Sequence, residues 1–205
     1  MPLTALALNC SLRGKRSGDP SSTDVLLQQV LDELAGHEVS APGIVRVVDL
    51  NIKPGVSHDE GRGDAWPALV KRILAADILV LGTPIWLGQP SSVCKRVLER
   101  LDAMIDDTDD KNRMKTYNRV ALVAVVGNED GAHHVSAELY QALTDTGYTI
   151  PANGMTYWVG EAMKGKDYKD LMRTPPEVKL ATRMAAANAA HLAHVLSKNN
   201  YPGSG

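Results

Sequence analysis

The sequence predicts a doubly wound α/β fold, a parallel β-sheet covered by helices on both faces. Three observations predict it. Apolar runs of strand length recur, and three of them, LTALALN (3–9), DILVLGT (77–83) and VALVAVVG (120–127), are nearly uninterrupted, as in strands buried on both faces. Helical patterns separate the runs, so the order reads β-α-β-α-β-α-β-α-β-α. No linker or internal repeat divides the 205 residues, so 1–199 are expected to form one domain and 200–205 a flexible tail.

The remaining strands are IVRVVDL (44–50) and the weaker MTYWVG (155–160). The first helix, TDVLLQQVLDELAGH (23–37), puts Leu26, Leu27, Val30, Leu31 and Leu34 on one face, with Gly36 as a stop. The second, AWPALVKRILAA (65–76), tolerates Pro67 in its first turn. The third, SSVCKRVLERLDAMI (91–105), presents Val93, Val97, Leu98, Leu101 and Ile105 behind a cap at Ser91 or Ser92. HVSAELYQALTDTG (134–147) presents Val135, Leu139 and Leu143, and an Ala-rich helix spans 176–199. Three segments, 53–64, 106–118 and 160–176, carry no regular pattern; irregular segments of this length are usually functional or flexible.

Composition excludes several function classes. A formal net charge of -2 gives no basic field for nucleic acid or anionic lipid. No apolar run reaches the roughly 18 residues of a membrane span, and the N-terminus has no basic flank before its apolar run, so the chain is expected in the cytoplasm without a signal peptide. Cys10 and Cys94 are too few for a disulfide framework, a cysteine metal cage or an iron–sulfur cluster. His133 and His134 would point about 100° apart on a helix, so no shared metal ion is expected. There is no Phe, and the three tryptophans, Trp66, Trp86 and Trp158, fall at or beside expected loops.

Ligands of an open parallel sheet bind beyond the carboxyl ends of its strands. The loop after the first strand, NCSLRGKRSGDPSSTD (9–24), offers the hydroxyls of Ser11, Ser21, Ser22 and Thr23, the positive charge of Arg13, Lys15 and Arg16, and a helix N-terminus. It is a phosphate cradle by composition, or equally an N-capped helix after a basic loop; it matches neither GxxxxGK[ST] nor GxGxxG. The loop after the third strand, TPIWLGQPSS (83–92), is stiffened by Pro84 and Pro90, and the N–H groups of residues 85–89 are expected to lack ladder partners beside Trp86. In the loop after the fourth strand, Gly127 and Gly131 bracket Asn128, Glu129 and Asp130. A phosphate site, a stiff aromatic loop and a Gly-bracketed polar loop on one sheet edge suggest a planar mononucleotide, and FMN fits best.

The motifs N-C-S-L-R followed by S-S-T-D, T-P-I-W-L-G-Q-P-S-S and G-N-E-D-G-A-H-H resemble those of the flavodoxin-like NAD(P)H-dependent FMN reductases over residues 3 to 160. The chain departs from that family in GKRSGDP (14–20), which lengthens the first loop. The resemblance implies a five-stranded sheet of order 2-1-3-4-5. It implies that Ser11, Ser21, Ser22 and Thr23, with Arg13 beside them, hold the FMN phosphate. Pro84, Ile85, Trp86, Leu87 and Gly88 would pack on the isoalloxazine, and Gly127, Asn128, Glu129 and Asp130 would close its other side. A nicotinamide, NADPH or NADH, would pass hydride to the flavin, and a small acceptor (quinone, nitro or azo compound, free flavin or metal species) would then take its place. No side-chain acid or base is assigned. Relatives of this kind are commonly homodimers or homotetramers, which makes Trp158 and 160–176 candidates for a cover or a subunit contact. The alternative is a flavodoxin-type electron carrier; such carriers tend to be strongly acidic, unlike a chain at -2.

Overall fold

The computed structural model describes residues 2–204. In chain order the elements are β1 (Ala5–Asn9), α1 (Ser22–Ala35), β2 (Ile44–Arg46), α2 (Trp66–Ala75), β3 (Ile78–Trp86), β4 (Gln89–Pro90), α3 (Ser92–Leu101), β5 (Val120–Val126), α4 (Ala132–Asp145), β6 (Met155–Trp158) and α5 (Pro176–Lys198). The parallel strands run β2-β1-β3-β5-β6, and β4 joins β3 antiparallel off this path. With that short strand set aside, the order is the expected flavodoxin-like 2-1-3-4-5.

The uninterrupted apolar runs are explained by two cores. On one face, Leu26, Val30 and Leu34 of α1 and Ala186, Ala189 and Ala193 of α5 cover Ala5, Ala7, Ile78, Val80 and Leu122. On the other, Trp66, Leu69, Val97, Leu101, Val135 and Leu139 from α2, α3 and α4 cover Leu6, Leu8, Leu79, Leu81 and Val123. Each central strand thus buries both its odd and its even side chains, and no Phe is needed because alanines let α5 approach closely.

The structure departs from the expected elements in four places. The second run is a strand only over three residues; Val47–Asp49 coil into a 3₁₀ turn at the sheet edge. The third continues through Pro84 to Trp86, because Leu87 (φ 53°) and Gly88 (φ 75°) make the tight left-handed turn that closes a two-residue hairpin. The 53–64 loop is pinned from below. Arg100, 0% exposed on α3, donates from Nη1 to the Lys53 carbonyl at 3.1 Å and pairs with the buried Asp64 carboxylate at 2.8 Å. Its guanidinium also lies 5.5 Å from the Trp66 ring, so Trp66 belongs to the core. Burial alone would raise the Asp64 pKa, but the N–H groups of Glu60, Trp66 and Lys53 and the Arg100 guanidinium outweigh it and hold the carboxyl at about 2. Finally, the C-terminal residues expected to be free lie against the domain. The Tyr201 hydroxyl is 2.9 Å from Thr149 Oγ1, its ring meets Tyr117 edge-on, and Ser204 N–H donates to the Lys111 carbonyl at 3.1 Å.

Candidate functional site

β1 ends at Asn9, whose buried side chain organises the loop that follows. Its Nδ2 donates to Ser21 Oγ (3.1 Å) and to Asp24 Oδ1 (2.6 Å), while its Oδ1 accepts the Ser11 N–H (2.8 Å). Ser21 and Asp24 form a reciprocal capping box at the start of α1. Arg46 at the end of β2 pairs with Asp24 at 2.7 Å. This network fixes the loop and takes up the Ser21 hydroxyl proton, which points to Asp24 Oδ2 at 3.0 Å. Ser21 therefore builds the helix start, and the hydroxyls left to face a ligand are those of Ser22, Thr23 and Ser11, the last with only a long 3.4 Å bond to the Arg13 carbonyl. The N–H groups of Leu12, Arg13, Ser22 and Thr23 have no acceptor among the described residues. Free N–H groups at the positive end of a helix dipole favour an anion.

The other two loops are latched together. Leu87 N–H donates to Glu129 Oε1 at 2.9 Å. Gly131 lies so close to Gly88 that a Cβ on it would sit 2.8 Å from Gly88 Cα. The expected run of free donors over 85–89 is accordingly shorter: Ile85 and Trp86 pair with Pro90 and Gln89, and the Leu87 N–H goes to Glu129. Beneath the hairpin, Ser91 ties three elements: its N–H donates to Thr83 Oγ1, its hydroxyl donates to the Cys10 carbonyl, and its Oγ accepts the Cys94 N–H. Both cysteines are fully buried, and burial, with Cys94 beside it, pushes the Cys10 thiol pKa well up, away from thiolate reactivity. His133 and His134 point apart as adjacent helix residues must, one against the Tyr157 ring and the other to Glu138.

These loops enclose a cavity of about 240 Å³, into which the structure brings Ser11, Arg13, Ser21, Ser22, Thr23, Pro84, Ile85, Trp86, Gly127, Asn128 and Glu129. Leu87, Gly88 and Asp130 do not line it; the Leu87 side chain is 91% exposed at the hairpin tip. Six further residues line the cavity: Leu12, Val126, Trp158 at the end of β6, and Asp167, Tyr168 and Lys169 from the 160–176 segment. That segment is a strap within the chain. Met163 N–H donates to the Asn128 carbonyl (2.8 Å), Asn128 Nδ2 to Asp167 Oδ1 (3.2 Å), Lys169 N–H to Ser22 Oγ (3.3 Å), and the Tyr168 hydroxyl to Gln29 Oε1 (2.6 Å). The Trp158 and Tyr168 rings pack 5.3 Å apart. Sequence reading marked the segment by its length alone and missed Asp167, Tyr168 and Lys169 individually. It also missed Asn9, Asp24 and Arg46, although the Ser21-x-x-Asp24 spacing was a readable capping signal. A larger cavity of about 730 Å³ lies beyond Trp158, between the strap and the start of α5. It is away from the ends of β1 and β3, and the convergence of strand-end loops singles out the smaller one.

A parallel sheet of this order, with its loops gathered at the carboxyl ends of β1, β3 and β5, defines a flavodoxin-like protein. The chain belongs to the NADPH-dependent FMN reductase family, whose model matches residues 3–164. It is 36% identical over 98% of its length to 8-demethyl-8-aminoriboflavin-5'-phosphate synthase of Streptomyces davaonensis, covering 81% of that protein. The crystal structure of RosB with the bound intermediate 8-demethyl-8-formylriboflavin-5'-phosphate superposes with a TM-score of 0.87 at 34% identity, covering 98% of this chain and 82% of that one. The chain is also 38% identical, over 94% of its length, to the divalent metal cation transporter MntH of Mycobacterium bovis, of which it spans only 28%. Among the described residues no helix is long and apolar enough to cross a membrane.

Proposed function

We propose that the chain binds FMN in this cavity and uses it to carry hydride from NADPH or NADH to a small acceptor. The observation that carries the reading is the meeting, in one cavity, of an anion-seeking helix start with the two latched loops that end β3 and β5. The residues fit the group. Ser11, Ser22 and Thr23, with the free N–H groups around them, supply donors for a phosphate, and Arg13 supplies charge. Pro84, Ile85 and Trp86 form a rigid wall for a fused ring, and Gly127, Asn128 and Glu129 offer backbone and short polar groups at its edge. Leu87, Gly88 and Asp130 contribute through the latch and the loop backbone. Bound FMN would supply the hydride and electron chemistry. The chain's own part is to hold the phosphate, fix the ring plane and exclude water with Trp158 and the strap. Quinones, nitro or azo compounds, free flavins and metal species are the acceptor classes, and a homodimer or homotetramer in the cytoplasm is part of the same reading.

A second reading has a specific observation in its favour. The relative that matches 98% of the chain at 36% identity is named for making a modified riboflavin phosphate. In that reading FMN is the substrate. The test is the visible spectrum of the purified protein before and after anaerobic NADPH or NADH, followed by mass spectrometry of flavin recovered after aerobic incubation. The first reading expects a yellow protein that bleaches, then reoxidises with an added acceptor and returns unaltered FMN. A changed flavin mass selects the second. Bound FMN that neither NADPH nor NADH can bleach, and that keeps its mass, selects an electron carrier. Failure to bind any flavin overturns all three.

A further inference from the structure

We propose that Tyr168 and Lys169 form a phosphate clamp, in which Lys169 is the cation that selects a flavin bearing a terminal phosphate monoester. The proposal rests on the FMN reading and deepens it. The family model ends at residue 164, so the clamp lies outside the pattern this chain shares with the family as a whole.

Lys169 is half-buried and lines the cavity beside Ser22, at the N-terminus of α1. Its ammonium has no carboxylate within ion-pair distance among the described residues. A cation at the positive end of a helix dipole is repelled there unless an anion lies between them. The strap holds the Lys169 backbone against the start of α1. Lys169 N–H donates to Ser22 Oγ at 3.3 Å, which leaves the Ser22 hydroxyl proton free to donate into the cavity. Next to it, Tyr168 is only 3% exposed; its hydroxyl donates to Gln29 on α1, whose own amide donates to Thr174 Oγ1 at 3.0 Å. Asp167 is drawn the other way, toward Asn128. Lys169 and Arg13, from opposite chain segments, both line the cavity that Ser22 and Thr23 border with their free N–H groups. That donor set matches a dianion with three terminal oxygens. Riboflavin lacks the charge, and the diphosphate bridge of FAD carries one charge per phosphate and must continue past the clamp.

The experiment is titration of the flavin-free full chain with FMN, riboflavin and FAD, in the wild type and in Lys169→Met, which keeps most of the apolar stem. The wild type is expected to prefer FMN to both others. Loss of one charge-assisted hydrogen bond should weaken FMN about 10- to 100-fold in Lys169→Met and leave riboflavin unchanged. A second variant, Tyr168→Phe, keeps the ring but frees the strap, and should also weaken FMN more than riboflavin. An equal loss for FMN and riboflavin in both variants would reduce the strap to a structural cover and overturn the proposal. So would wild-type affinity for FAD equal to that for FMN. A wild type that binds no flavin would instead sink the FMN reading itself, so the two failures are distinguishable.

Discussion

Two glycines that meet across the latched loops allow a controlled perturbation. Gly131 has φ 124° and ψ 1°, and a Cβ built on it would lie 2.8 Å from Gly88 Cα, 3.1 Å from Gly88 O and 3.2 Å from Gly88 C. All three are backbone atoms, so no rotamer change relieves the clash. Gly88 also has positive φ, 75°, but its Cβ would meet nothing within 4 Å. Gly88→Ala therefore measures the conformational penalty alone, about 1–2 kcal/mol. Gly131→Ala adds overpacking of about 1–3 kcal/mol, for a total of about 2–5 kcal/mol. In a domain of this size each kcal/mol lowers Tm by about 2–4 °C. Urea unfolding followed by circular dichroism gives the stability difference, and quenching of FMN fluorescence gives affinity. Gly131→Ala should lose both, because the clash is relieved only by parting the 84–88 and 127–131 loops. Equal stability and equal FMN affinity in the two variants would refute the argument that their close approach shapes the site.

Three more outcomes can be measured. Glu129→Ala removes the acceptor of the Leu87 N–H and should weaken FMN by about 2- to 10-fold, whereas Glu129→Gln, which keeps a carbonyl there, should retain most of the affinity. Ser91→Ala deletes the cap of α3 and the tie to the Cys10 carbonyl, and should cost about 1–2 kcal/mol in urea unfolding without shifting FMN preference over riboflavin. Asp64 titrates at about 2 in the fold against an ordinary 3.8, so its contribution is complete above 3.8 and is lost as pH falls toward 2. Asp64→Asn lacks that term and leaves Arg100 unpaired, so the Tm gap between wild type and variant should be wide at pH 7 and narrow through that acid window. A gap that does not change with pH would refute the assignment.

The central strands were legible because burial on both faces leaves a continuous apolar run, and the same logic explains why β2 was overread. IVRVVDL has the composition of a strand, but after Arg46 turns to Asp24 the chain coils at the sheet edge, where no outer neighbour enforces an extended backbone. The cavity was legible because strand-end loops converge in this topology whatever their sequence. What escaped depends on distant pairing. Nothing near Tyr168 announces that its hydroxyl meets Gln29 across 139 residues, and Arg100 reads as an ordinary polar helix position until Asp64, far earlier in the chain, buries it. The hairpin at Leu87–Gly88 was hidden for a different reason. Its turn needs positive φ at a leucine, which local preference disfavours and the Glu129 latch stabilises.

A flavin that stays and a flavin that leaves make opposite demands on one strap. As a cofactor, FMN should be released far more slowly than the enzyme turns over; as a substrate, it must escape in every cycle. The strap is fastened to the rest of the chain by a few polar bonds, at Asn128, Ser22 and Gln29. Each is worth about 1 kcal/mol net, and the Tyr168 ring buried in the core beside Trp158 adds about 2–3 kcal/mol, so opening without ligand costs about 5–7 kcal/mol and leaves only a rare open state to admit FMN. In the proposed reading, further retention would come from the ligand side, from a phosphate held by Lys169, Arg13 and the start of α1. The clamp charge is accordingly the lever that converts one use of the site into the other. If Lys169→Met speeds FMN release without slowing hydride transfer, the strap governs how long the flavin stays while the reaction itself rests on the family-shared residues 3–164.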